Sequence, residues 1–161
     1  MAKLEQEIGT LLRQKKLMLG VVESATGGLI SHLITDVPGS STYYKGSITA
    51  YSNEIKIKVV GVKKDTINEY GAVSHQVAKE MAWGGRRTLD CDICLADTGI
   101  AGPARATPEK PVGLFYLGVS HKDGIDSREY HFQGNRRQNK CQAAETALSW
   151  LKEYLMSLDS E

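Results

Sequence analysis

The chain of 161 residues contains no apolar run approaching the roughly 20 residues needed to span a bilayer. Its first sixteen residues are charged and amphipathic and lack the apolar centre of a secretory leader. Together these absences place the expected location in the cytoplasm and give no expectation of a membrane partner. Cysteine is scarce, with only Cys91, Cys94 and Cys141. An odd count in such a chain argues against a disulfide framework. Cys91 and Cys94 form a C-x-x-C pair, but no second pair and no histidines at ligand spacing accompany it, so no metal is expected. The segment Cys91-Asp92-Ile93-Cys94-Leu95-Ala96 reads as the start of a buried strand. Residues three apart on a strand point to opposite faces, so the two thiols are expected apart, buried and inert.

An excess of one charge is also missing. Twenty basic against nineteen acidic residues leave a formal charge of +1. No global field therefore draws the chain to nucleic acid or to an anionic surface. The G-x-x-x-x-G-K-[ST] spacing of a phosphate-binding loop does not occur. The four histidines show no ligand spacing, and no Asp/Glu pair stands out as an acid/base couple. Without repeats, low-complexity tracts or a linker, the expectation is one domain over residues 1–161.

Hydrophobic residues at 41% and charged residues at 24% are enough to build a core. Leu4, Ile8, Leu11 and Leu12 predict an amphipathic helix over 3–16. A buried strand is predicted over 17–22, a helix over 27–35, and a loop at 36–41 containing Pro38-Gly39. A strand over 44–51 precedes short helices near 53–60 and 66–70, and Ser74 caps a helix running to about residue 87. Strands over 93–97, 113–120 and 127–132 follow, the last two joined by a turn at Lys122-Asp123-Gly124. A long helix over 139–156 closes the chain. This order predicts an α/β fold: a three-layer α/β/α sandwich with a mixed, mostly parallel sheet containing one antiparallel strand.

Ligands in open α/β sheets bind beyond the carboxyl ends of the strands. The polar segment Glu23-Ser24-Ala25-Thr26-Gly27-Gly28 follows the first strand. Ser24 is there a nucleophile backed by helix N–H groups, or Ser24 or Thr26 merely caps the helix. The segment Tyr51-Ser52-Asn53-Glu54-Ile55-Lys56 follows the second strand. Lys56 there is a general base, if burial lowers its pKa, or part of a solvated helix face. A third segment runs from Asp97-Thr98-Gly99 into a Gly/Pro loop, and Arg136-Arg137 with Lys140 begins the last helix, where arginine suits phosphate recognition.

These segments, with Pro38-Gly39-Ser40-Ser41, Gly71-Ala72-Val73-Ser74, Thr98-Gly99-Ile100-Ala101-Gly102-Pro103 and Pro108-Glu109-Lys110-Pro111-Val112-Gly113, stand in an order that resembles the CinA C-terminal domain family over residues 4–155. The resemblance implies a CinA-like, anticodon-binding-domain-like sandwich. It implies hydrolysis of the amide of nicotinamide mononucleotide to nicotinate mononucleotide and ammonia in pyridine nucleotide recycling. No cofactor and no metal are implied, and the partner is the small nucleotide, with the protein a homodimer. A Ser/Lys dyad is implied, with Ser24 as nucleophile and Lys56 as base, assisted by Tyr51. Ser41 competes with Ser24 for the nucleophile. Ser41, Thr26, Gly27, Thr98 and Gly99 are implied to line the site, and Arg136 to meet the phosphate.

Three departures from the family pattern stand out. Ala25 replaces a cysteine, Ala104-Arg105-Ala106 replaces a glycine-rich stretch, and Asn135 replaces an aspartate that would orient Arg136. The last two motivate an alternative: a nucleotide-binding or regulatory module of the same fold that has lost turnover. Longer members of the family carry a further domain, so the chain resembles the stand-alone form.

Overall fold

The computed structural model describes residues 3–158. Helix α1 (Leu4–Lys15) leads into strand β1 (Leu19–Glu23) and helix α2 (Leu29–Thr35). A 3-10 turn (Ser40–Thr42) precedes strand β2 (Tyr44–Thr49). The short helix α3 (Asn53–Ile55) passes directly into a π-helical turn (Lys56–Val60). Helices α4 (Lys64–Tyr70) and α5 (His75–Leu89) lead to strands β3 (Ile93–Gly99), β4 (Leu114–His121) and β5 (Gly124–His131), and α6 (Arg136–Ser157) closes the fold.

The sheet order is β2-β1-β3-β4-β5. Strands β2, β1 and β3 run parallel, β4 runs against β3, and β5 runs against β4. One strand therefore opposes the other four, as the sequence pattern predicts. All five residues of β1 are buried, the mark of a central strand covered on both faces. One core lies between the sheet and α1, α2 and α6, built on Leu12, Leu19, Val21, Leu95, Leu148 and Leu151. A second lies under α5, built on Val22, Val60, Val77, Met81, Ala82 and Ala96. Glycines let α5 approach closely: a Cβ on Gly84 would stand 2.0 Å from the Val60 carbonyl oxygen, and one on Gly85 2.2 Å from Val22 Cγ2.

Two expectations need correction. Helix α6 begins at Arg136, three residues earlier than the apolar periodicity indicates, because Asn135 caps it and exchanges hydrogen bonds with Gln138 in a capping box. Cys91 and Cys94 are buried free thiols, as expected, but they do not face apart. Cys91 lies in the turn before β3, so strand alternation does not apply to it, and both thiols pack into the core under α5.

Candidate active site

The site forms where β1 and β3, neighbours in the sheet, reach their carboxyl ends. Side chains alternate along each strand. Glu23 follows Leu19 and Val21 onto the α6 face, and Asp97 follows Ile93 and Leu95 onto the same face. Both carboxyl groups are fully buried. The backbone N–H of Ser24 donates to Asp97 Oδ2 at 3.0 Å, and that of Thr26 donates to Asp97 Oδ1 at 3.1 Å. Thr26 Oγ1 lies 2.6 Å from Glu23 Oε1 and also contacts Asp97 Oδ2. Asp97 thus fixes the backbone on both sides of Ala25 and sets where Ser24 projects. Burial, reinforced by the charge of Glu23, pushes the Asp97 carboxyl up to about 6 against the hydrogen bonds it accepts.

Lys56 reaches the same point from the other side of β1. Ser52 caps α3 by accepting from the Ile55 N–H at 3.2 Å, and the chain then turns so that Lys56 is only 2% exposed. Its Nζ lies 2.9 Å from Ser24 Oγ and 2.9 Å from the Tyr51 carbonyl oxygen. Burial lowers the Lys56 pKa from its ordinary value, and the charge of Asp97 works in the opposite direction. As an ammonium, Lys56 donates to the serine hydroxyl; as a free amine, it can take that hydroxyl's proton along the same line. Of the two readings of Lys56, the solvated helix face does not hold.

Nor is Ser24 a helix cap. The start of α2 is satisfied by Glu23, whose carboxylate accepts from the N–H groups of Gly28 at 3.2 Å, Ile30 at 2.9 Å and Ser31 at 3.0 Å. These helix N–H groups, the expected partners of an oxyanion, are therefore not free for that purpose.

A cavity of about 380 Å³ opens beside Ser24 and Lys56, within the roughly 300–1,000 Å³ typical of small-molecule clefts. Tyr51, Thr98, Gly99 and Arg136 line it too. Thr98 is buried, and its hydroxyl donates to the Ala72 carbonyl at 2.8 Å, pinning the segment before α5 to the end of β3. Tyr51 is 62% exposed; its carbonyl holds Lys56, whereas its phenol accepts from Arg136 Nη2 at 3.3 Å. Arg136 also donates from Nη1 to the Gly102 carbonyl at 2.7 Å. Asn135 caps α6, and Arg136 is aimed by Gly102 and Tyr51.

Three expected site residues are not brought to this cavity. Gly27 faces a neighbouring groove of about 590 Å³ with Arg137 and Lys140, Thr26 lies buried beneath it between Glu23 and Asp97, and Arg136 forms the wall between the two spaces. Ser41 sits in the exposed turn before β2, at the amino end of the sheet. Six residues of β2 separate it from the carboxyl ends, a distance of about 20 Å. Ser41 is thus no rival to Ser24 within one chain. The altered loop carries one strained residue: Arg105 has φ +71°, a left-handed conformation that glycine adopts freely.

Two residues without an assigned role, Glu23 and Asp97, organise the site, so a carboxyl pair does exist here. Their signal in the sequence is a charged residue ending each of two otherwise apolar strands, since a buried charge is retained only when it is paired and hydrogen-bonded. Among the described residues, no three His, Cys, Asp or Glu side chains converge as metal ligands would.

The model of the CinA C-terminal domain family matches residues 1–155. A competence-damage inducible protein of Halothermothrix orenii is 49% identical over 153 residues, 94% of this chain and 37% of the relative. A CinA-like protein of Thermotoga neapolitana is 42% identical, over 95% of this chain and 37% of its own. The chain spans little more than a third of the length of these relatives. Among solved structures, a competence-damaged (CinA) superfamily protein of Klebsiella pneumoniae superposes with a TM-score of 0.92 at 25% identity, covering 96% of both chains. The competence/damage inducible protein CihA of Agrobacterium tumefaciens gives 0.85 at 33% identity, covering 99% of both.

Proposed function

The chain belongs to the CinA C-terminal domain family, and on that premise we propose that it is an amidohydrolase that cleaves the carboxamide of nicotinamide mononucleotide to nicotinate mononucleotide and ammonia. One observation carries the chemistry: a buried lysine amine 2.9 Å from a serine hydroxyl at the edge of a cavity. The choice of substrate comes from the family resemblance and from a single arginine in the cavity wall.

Ser24 Oγ attacks the carboxamide carbon as Lys56 Nζ takes its proton. The carbonyl oxygen becomes an oxyanion. With the α2 donors held by Glu23, the donor for it is the N–H of Ala25, the residue that follows the nucleophile and lines the cavity. Lys56 returns the proton to the leaving nitrogen, ammonia departs, and an acyl ester remains on Ser24. Lys56 then activates water to hydrolyse that ester. Arg136 anchors the phosphate, holding the amide against Ser24 in a near-attack position. The phenol of Tyr51 sets the arginine and its carbonyl sets the lysine, so this residue assists binding and base placement together. In this reading the protein is a homodimer of the cytoplasm. Among the described residues, no helix is long and apolar enough to cross a membrane.

The test is ammonia release on incubation with nicotinamide mononucleotide, compared among wild type, Ser24→Ala and Lys56→Ala. Ammonia from wild type alone supports the reading. Binding of the nucleotide without ammonia would instead support the binding module, with the 104–106 loop as the place to look.

A further inference from the structure

Thr26 is fully buried, and its Oγ1 lies within hydrogen-bonding reach of two carboxyl oxygens, Glu23 Oε1 and Asp97 Oδ2. A hydroxyl carries one proton and donates one hydrogen bond. It can satisfy one of those oxygens. The other close oxygen–oxygen contact requires a proton of its own, and that proton has to sit on a carboxyl group. On Glu23 the carboxylate oxygens already accept three backbone N–H groups. Asp97 accepts two N–H groups but is wholly enclosed, with the charge of Glu23 beside it.

We propose that Asp97 is a positioning residue that works as a neutral acid: it donates its proton to Thr26 Oγ1, Thr26 donates onward to Glu23 Oε1, and the uncharged Asp97 leaves Lys56 able to exist as an amine. This deepens the Ser24–Lys56 reading and rests on it. The charged groups meeting here are Glu23 from β1, Asp97 from β3 and Lys56 from the turn after α3. Strand β4 sets Leu117 beside Asp97, and α6 covers this face with Ala144, Ala147, Leu148 and Leu151, its Lys140 lying by Gly27. An ionised Asp97 holds Lys56 as an ammonium that cannot accept the serine proton. A protonated Asp97 removes that opposition and leaves burial to discharge the lysine. Burial already pushes the Asp97 carboxyl up. A hydroxyl lone pair aimed at it favours the acid further, because hydrogen bonding to the neutral form stabilises that form. The backbone N–H of Ser24 rests on the same carboxyl, so one group both places the nucleophile and sets the charge state of its base.

Carbon-13 NMR of aspartate carboxyl groups reads the proton directly, with Asp97→Asn assigning the resonance and no substrate present. The expected wild-type result is a titration midpoint of about 6, against an ordinary aspartate near 3.9. A midpoint at or above about 5.5 supports the proposal, and one below about 5.5 overturns it. Thr26→Val supplies a check of sign: loss of the acceptor should lower the midpoint, and a rise would mean that Thr26 donates to an ionised Asp97. Thr26→Ser should leave it in place. If Thr26→Val does not fold, the wild-type midpoint decides alone. Ammonia release is a separate readout. Active enzyme with an ionised Asp97 sinks this inference and leaves the amidohydrolase standing; a protonated Asp97 without ammonia upholds the proton and sinks the substrate.

Discussion

Lys56 Nζ lies 2.9 Å from Ser24 Oγ, although the two residues stand 32 positions apart and approach from different elements. The lysine is 2% exposed and the serine 7%. Burial lowers the lysine pKa, so the amine form is reached below the ordinary 10.5. Because a base acts in its deprotonated form, kcat/KM should rise with pH and level off below that value. Lys56→Ala should lose this rise and lower kcat by about 10²- to 10⁴-fold, the usual contribution of a positioned base. Steady-state rates across pH check both statements.

The raised pKa of Asp97 makes stability depend on pH with a definite sign. An acid whose folded pKa exceeds its unfolded value contributes stability that is fully present below the unfolded value and is lost as pH rises through the folded one. Here those values are 3.8 and about 6. Wild type should therefore lose stability relative to Asp97→Asn as pH rises from about 4 to about 7, by about 3 kcal/mol at about 1.4 kcal/mol per pH unit. Parallel denaturant titrations at several pH values measure the difference. A gap that is flat with pH contradicts the burial argument.

Gly84 lies remote from the cavity but supports it. An added Cβ would meet the Val60 carbonyl, the last residue of the turn that begins with Lys56. Gly84→Ala should cost about 1–3 kcal/mol by overpacking. By displacing that turn, it should also reduce kcat by about 10- to 100-fold. Thermal unfolding and turnover, measured on the same preparation, should fall together.

Arg136 and Ser41 separate binding from bystanders. Arg136→Ala should raise KM for the mononucleotide more than it lowers kcat, since the arginine acts on the phosphate and not on the amide. The same variant should treat the mononucleotide and its dephosphorylated riboside alike. Ser41→Ala should leave kcat within about twofold, being roughly 20 Å from the reacting atoms.

What was legible in the sequence was whatever a local pattern encodes. The apolar strand over 17–22, the helix near 27–35 and the hairpin at Lys122-Asp123-Gly124 sit within a few residues of where the structure has them. The three-layer sandwich follows from their order. Ser24 and Lys56 stood out because polar segments follow strands. The hydrogen bond between them depends on β1 and β2 being neighbours and on the turn after α3, which no window of sequence contains. Asp97 was hidden for the same reason: its partners, Ser24 and Thr26, lie more than 70 positions away. Ser41 came from the family resemblance alone, and the strand between it and Tyr51 sets it at the amino end of the sheet. Cys91 misled because the strand rule was applied one turn too early.

The central claim is that Ser24 carries the acyl group. Protein quenched during turnover of nicotinamide mononucleotide, digested and analysed by mass spectrometry, tests it most directly. The account predicts a nicotinate mononucleotide ester on the peptide containing Ser24, present in wild type and absent in Ser24→Ala, which releases no ammonia. An adduct on another residue, or full ammonia release by Ser24→Ala, would contradict it.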